Sequence, residues 1–507
     1  MKQHILAPAL RALALAGGVA VPALLTGCSV GPDFLRPAAP ETPSYTPEAT
    51  LPDTTASKVQ AGEAQRFVSG QDIPGQWWTL FHSEPLNALI DQALKTNPDL
   101  QAAQAALRQT QELAAASRGP LFPQVDAQYN VTRQKISGAS FGQAGLNPIF
   151  TLSTAQVSVS YLVDIWGQTR RQIESAEAQA EQQQFQLEAT YLTLTSNVVN
   201  AAIQEASLRA QIVATEDIIS AETQQLNLLQ RQFDLGGASK AAVLAQAATL
   251  AQARAGLPVL QKQLAQQRNL LAVLAGRFPS EEPSQKFELA SMQLPQDLPL
   301  SLPSKLVEQR PDIRAAESAM HAASAQVGVA TANMLPQITL TGAYGVQGSG
   351  IDFNPSTGIW SLGAGLLQPI FRGGTLIHEK RAAVAAYDQT AAQYRSTVLS
   401  AFQNVADALR ALQSDADALN AQVAAEQAAA DSLDLSEKQF QLGAISYTSL
   451  LDAERTSLQA HVSRVQAQAA RFADTAALFQ ALGGGWWNRT DVTAPPPKQF
   501  DIGWPLD

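Results

Sequence analysis

The chain of 507 residues is poor in the residues that build most functional sites: it has one cysteine, five histidines, 6% aromatics and 15% charged residues. A lone Cys28 cannot make a disulfide scaffold or a cysteine zinc ribbon. Basic runs are missing too, since 34 Lys and Arg stand against 44 Asp and Glu for a net charge of -10. That balance excludes the electrostatic footprint of a nucleic-acid binder. The histidines, at positions 4, 82, 321, 378 and 461, form no H-E-x-x-H pair, so a zinc hydrolase has no support. After the N-terminal leader no stretch reaches 18 apolar residues, which leaves no transmembrane helix.

What is present begins at the N-terminus. Lys2, His4 and Arg11 precede an apolar run from Ala12 to Leu25, which ends in Leu25, Thr26, Gly27 and Cys28. A basic region, a short apolar region and small residues before a cleavage point read as a secretory signal. The only cysteine stands where a bacterial lipoprotein signal places the acylated residue; the alternative is an ordinary signal with a coincidental thiol. Diacylglycerol and an N-acyl chain on Cys28 would anchor the mature protein, because two or more acyl chains give stable membrane attachment. Ser29 follows without an aspartate, the pattern of an outer-membrane address. Pro32, Pro37, Pro40, Pro43, Pro47 and Pro52 then predict an extended tether with neither helix nor sheet.

The remainder is an internal duplication. Asn97-Pro98-Asp99-Leu100 recurs as Arg310-Pro311-Asp312-Ile313, and Phe122-Pro123-Gln124 as Leu335-Pro336-Gln337. Phe233-Asp234-Leu235-Gly236-Gly237-Ala238-Ser239 recurs as Phe440-Gln441-Leu442-Gly443-Ala444-Ile445-Ser446. Each copy reads as helix, two strands, long helix, turn and helix. Val125, Ala127, Tyr129 and Val131 alternate with polar residues, as do Val157, Val159, Tyr161, Val163 and Ile165, with Leu162 the exception. The second copy repeats this with Ile338, Leu340, Tyr344 and Val346, then Trp360, Leu362, Ala364 and Leu366. A period of two predicts four strands with one apolar face. A half-buried soluble sheet shows the same pattern, but two hairpins of this strand length also suit an outer membrane. Four strands cannot close a barrel, so a membrane sheet of this kind demands oligomerisation.

The segments from about Thr169 to Leu235 and from about Leu376 to Leu442 lack proline and predict helices of roughly 100 Å. Their return partners run from Ala238 to about Leu257, interrupted by Gly256 and Pro258, and from Ser446 to Leu482. Glycine at Leu235-Gly236-Gly237 and Leu442-Gly443-Ala444 suits a helix end, and Ser239 and Ser446 suit the next helix start.

Gly31-Pro32-Asp33-Phe34-Leu35-Arg36-Pro37, Trp77-Trp78-Thr79-Leu80-Phe81, Leu86 to Leu100 and the paired Phe-x-Leu-Gly turns resemble the TolC-like outer membrane factors. The branch indicated is the lipoprotein (NodT-type) branch of RND efflux systems. The resemblance covers the whole mature chain and implies a mainly α fold with a β-barrel portion. It implies a homotrimer whose four strands per chain form one shared twelve-stranded barrel in the outer-membrane lipid, above a periplasmic α-barrel. Its implied partners are a periplasmic adaptor (membrane fusion protein) and an inner-membrane RND-type pump. The turns at Leu235, Gly236, Gly237 and Ser239 and at Leu442, Gly443, Ala444 and Ser446 resemble the adaptor-docking tip, although they are also simply good reversal residues. Thr448, Ser449 and Asp452 resemble the aperture segment, with Asp452 at an inward acidic position. The competing reading is a solvated Asp452 paired with Arg455 on its own helix. Thr448 and Ser449 depart from the bulkier or acidic residues of relatives, and Ala245 stands where the second copy has Asp452, so one acidic ring is expected. No metal site and no cofactor beyond the lipid on Cys28 are expected.

The resulting division is a signal peptide over 1–27, a lipidated proline-rich tether over 28–75, repeats over 76–290 and 291–485, and a tail over 486–507. The function expected is a passive exit duct of a tripartite efflux pump. A type I protein-secretion channel or a structural periplasmic coiled-coil lipoprotein are the alternatives, and the four alternating strands speak against the last.

Overall fold

The computed structural model describes residues 29–48, 51–137, 148–350 and 357–489. The signal peptide, Cys28 and the tail from residue 490 lie outside them. The described chain forms two compact units. Unit 1 takes in the N-terminal residues through Pro37 with Ala106–Gln184 and Ala315–Arg395, and unit 2 takes in Ala38–Ala105, Phe185–Arg314 and the residues from Ser396.

Unit 1 is built on a four-stranded antiparallel sheet in the order β2, β3, β5, β6, comprising Gln124–Lys135, Ile149–Val163, Gln337–Ser349 and Thr357–Leu367. The alternation predicted from the sequence is realised in the register. Ala127 faces Val157, Val157 faces Tyr344, and Tyr344 faces Trp360 across three successive strand pairs. The neighbouring row runs Asp126, Ser158, Ala343, Ser361 and falls on the opposite face of the pleat. Val125, Tyr129, Tyr344, Trp360 and Leu362 are all exposed. The outer edges of β2 and β6 pair with no strand among the described residues. Asp164 closes the last strand turn of the first hairpin, because its carboxylate accepts from the Thr169 and Arg170 backbone N–H groups at 3.1 Å each. Those are orphan donors at the start of helix α3 (Gln168–Asp234).

The proline-rich segment is extended, but it is bonded along its length. In unit 1 Val30 donates its N–H to the Trp166 carbonyl at 3.0 Å, and Asp33 pairs with Arg171 at 2.6 Å. Arg36 pairs with Glu317 at 3.0 Å, and Phe34 stacks on His321 with ring centroids 4.4 Å apart. Gly31 passes so close to helix α6 (Pro311–Ala332) that a Cβ on it would lie 2.4 Å from Gly328 Cα. Only a glycine pair permits that crossing.

Unit 2 contains a core that the low aromatic content did not foretell. Trp77, Trp78, Phe81, Phe472 and Phe479 are fully buried, with Trp77 stacked on Phe479 at 5.4 Å. Helix α1 (Glu84–Thr96) touches the Trp77–Phe81 turn, and unit 2 also holds helix α5 (Pro303–Gln309) and a two-stranded parallel pair, β1 (Arg66–Ser69) with β4 (Asp297–Leu300). Asn97 starts α2 (Pro98–Ala116), its side-chain oxygen accepting from the N–H groups of Asp99 and Leu100.

The two helical hairpins are equal in length. Helix α3 and helix α7 (Thr375–Gln441) have 67 residues each, and α4 (Lys240–Leu274) and α8 (Tyr447–Ala481) have 35 each. The interruption expected at Gly256 and Pro258 does not occur, since α4 continues through both. Pro258 and the carbonyl-bearing residue four before it, Arg254, are both exposed, so the carbonyl that loses its helical donor is open to water.

Arg471 ties the N-terminal segment to α8 from a position with no solvent exposure. It donates to the carbonyls of Ala61 at 2.8 Å and Glu63 at 3.0 Å, and to the Gln65 side chain at 3.2 Å. Arg471→Ala leaves these acceptors without a donor, at roughly 1–3 kcal/mol per buried group. The expected outcome is a lowered thermal midpoint and new protease cleavage between residues 54 and 65, read by mass spectrometry of the fragments.

Candidate functional site

The two helical reversals of unit 2 are built alike. At the end of α3, Gly236 takes φ of 77°, its N–H donates to Phe233 O at 2.9 Å, and Gly237 N–H reaches back to Gln232 O at 2.7 Å. At the end of α7, Gly443 takes φ of 73°, its N–H donates to Phe440 O at 2.9 Å, and Ala444 N–H donates to Gln439 O at 2.8 Å. Both are Schellman ends, which satisfy the last carbonyls and require a left-handed residue where only glycine is unstrained. The spacing Phe-x-Leu-Gly encodes this directly, with the leucine one residue before the glycine. Ser239 then caps α4 by accepting from Ala242 N–H at 3.2 Å, and Ser446 caps α8 by accepting from Ser449 N–H at 3.2 Å. Leu235 and Leu442 are 87% and 84% exposed. Apolar side chains held in water on rigid turns suit a protein contact. Behind them, Lys240 lies over the Phe233 ring at 5.3 Å and Phe440 packs on Tyr447 at 5.5 Å.

Of the three residues expected at an aperture, Thr448 and Ser449 gather at the cap, their hydroxyls 2.7 Å and 2.9 Å from the Ser446 hydroxyl. Asp452 stands one turn further along α8, exposed, with Arg455 at 3.3 Å. Within one chain, therefore, the solvated pairing with Arg455 is what is seen, and the single chain does not bring Asp452 together with a second carboxylate. Cys28 lies outside the described residues. Among those residues no group of His, Cys, Asp and Glu has the arrangement of a metal site, and no helix is long and apolar enough to cross a membrane.

One cluster near the reversals escaped the sequence reading. Glu222 and Gln246 are buried against each other inside the first hairpin, and Glu454 of α8 joins them. Each taken alone is a polar residue at a helical position, and the partners come from different helices, so no local pattern marks them.

The model of the family described as outer membrane efflux protein matches this chain twice, over residues 89–277 and 302–484. The pyoverdine export outer membrane protein OpmQ of Pseudomonas aeruginosa is 33% identical over 424 residues, covering 81% of this chain and 87% of the relative. The cation efflux system protein CusC of Escherichia coli is 29% identical over 469 residues, covering 91% and 96%. Among solved structures, the outer-membrane channel OprN superposes with a TM-score of 0.80 at 27% identity over 90% of this chain and 100% of that one. The open state of the Neisseria gonorrhoeae MtrE outer membrane channel superposes with a TM-score of 0.75 at 27% identity over 92% and 100%.

The equivalence of the two caps can be measured. Ser239→Ala and Ser446→Ala each remove one acceptor from a helix start and are expected to cost about 1 kcal/mol locally. Faster hydrogen exchange confined to the first turns of α4 and α8 respectively is the expected outcome.

Proposed function

The chain belongs to the outer membrane efflux protein family, and from this we propose that three copies of it assemble into the exit duct of a tripartite pump. The observation that carries the proposal is the sheet of unit 1: an apolar face, a polar or small face, and two edges that pair with no strand among the described residues. In lipid an open edge is not tolerated, so β6 of one copy pairs with β2 of the next until a twelve-stranded barrel closes. A cyclic arrangement of identical chains meets this with one repeated contact.

Cys28 carries the diacylglycerol and N-acyl lipid in this reading, and the outer-membrane lipid is a partner as well as a solvent. Leu235 and Leu442, with the glycines and serines beside them, dock a periplasmic adaptor that links the duct to an inner-membrane RND-type pump. Asp452 from each copy contributes to one acidic ring at the aperture, held by Arg455 until the tip opens. A ring of carboxylates at a constriction selects for cations. The duct is passive, and the relatives' names, which include pyoverdine export and cation efflux, support choosing cargo at the pump and not in the channel.

Three measurements test this reading. Heat-dependent electrophoretic migration of the detergent-extracted protein is expected to show a trimer, and a monomer would contradict the closed barrel. Asp452→Ala is expected to raise single-channel conductance or the open fraction in planar bilayers, and an unchanged channel would remove Asp452 from the aperture. Cys28→Ala is expected to abolish incorporation of labelled fatty acid while leaving most protein in the outer-membrane fraction, because the barrel holds itself there.

A further inference from the structure

Glu222 of α3 is 1% exposed and Gln246 of α4 is fully buried. The Gln246 side-chain N–H donates to the Glu222 backbone carbonyl at 3.1 Å and also to its carboxylate. Helix α4 touches α8, and α8 brings Tyr447 and Glu454 into electrostatic contact with Glu222. Two buried acceptors of this group have no hydrogen-bond partner: Gln246 Oε1 and Glu454 Oε2. Among the described residues no Lys, Arg or His forms an ion pair with Glu222 or Glu454. The cluster ties the first helical hairpin to the second within a few turns of both reversals, and two of its acceptors, Gln246 Oε1 and Glu454 Oε2, face no donor.

A carboxylate can only accept, whereas a carboxylic acid adds one O–H donor. Burial raises the Glu454 carboxyl to about 7, reinforced by the charges of Glu222 and Glu437. Burial also raises Glu222, opposed by the bond from Gln246, and it pushes the Tyr447 hydroxyl well up. The titratable groups that face Glu454 are therefore Glu222 from α3, Glu437 from α7 and Tyr447 from its own helix, while α4 presents the uncharged Gln246.

We propose that Glu222 and Glu454 form a proton-operated latch that joins the two helical hairpins beside the reversals. With a proton on Glu454, its O–H supplies the missing donor and the hairpins pack. Without it, like charges sit in a buried site with no cation, and the hairpins are pushed apart. Separation returns Glu454 to water, where its ordinary value is 4.5. Opening therefore releases a proton between that value and about 7, and favours the open arrangement by up to about tenfold per pH unit across the window. Below the window the packing is at its strongest, and above it the effect is level. The latch rests on the channel reading only for its consequence at the aperture.

The test uses the full-length wild-type protein, Glu454→Gln and Glu222→Gln in planar bilayers from about pH 4 to pH 8. The open fraction of the wild type is expected to climb through the window. Glu454→Gln keeps a neutral donor at every pH and is expected to be closed with a flat profile. Glu222→Gln removes one repelling charge, which lowers the Glu454 value in the packed arrangement, narrows the window and is expected to shrink the wild-type rise, leaving a smaller open fraction at about pH 8. A pH-independent wild type, or a Glu454→Gln profile with the wild-type slope, overturns the latch. If the wild type gives no conductance at all, the channel reading fails, and hydrogen exchange over residues 222–246 and 447–454, corrected for intrinsic rates, decides the latch separately. Protection that increases in acid for the wild type but not for Glu454→Gln supports it, and equal profiles overturn it.

Discussion

A strand edge in lipid has nowhere to send its N–H and C=O groups, and the sheet of this chain has two such edges with an apolar face between them. The remaining architecture depends on closing them. Once identical copies share a sheet, every other element is repeated around the same axis, and a side chain that is isolated in one protomer becomes one member of a set. Asp452 shows what this does. In one chain it is a solvated aspartate beside Arg455, and the aperture role proposed for it needs the other copies. The first repeat has Ala245 at the matching place, so the two halves of the duplication share a backbone plan while dividing the chemistry.

The distribution of aromatic residues follows a related logic. A sheet facing lipid and long helices in a tube wall need little internal filling, and much of the chain is alanine and glutamine. The aromatic residues that exist are concentrated where unit 2 does have an interior, around Trp77, Trp78 and Phe479. The extended N-terminal segment completes that interior by offering backbone carbonyls to Arg471. A buried guanidinium is acceptable there because several acceptors converge on it.

Elements with local causes were legible in the sequence. The period of two set all four strands of the sheet, and Phe-x-Leu-Gly followed by serine set both reversals, because a Schellman end and a serine cap are satisfied within a few residues. The long helices were legible from missing proline, although Pro258 misled, since a proline whose orphaned carbonyl is open to water need not end a helix. Elements with distant causes were not legible. Strands β1 and β4 are four residues each and pair across the whole of the first repeat, and neither is long enough to carry a period. Gln246 and Glu222 are joined by packing across a hairpin, and Glu454 arrives from the other one. Nothing in the neighbours of Asp33 or Phe34 announces Arg171 or His321. The site was therefore readable where it is made of turns, and unreadable where it is made of buried charge.

The crossing of Gly31 and Gly328 has a further consequence for unit 1. With Ser29 lying against Gly167 and Val30 bonded to Trp166, the start of the described chain is clamped between the residues that follow β3 and helix α6. The segment is thus a strap across the unit that carries the sheet, and a side chain at either glycine would have to lift the strap before it could be accommodated.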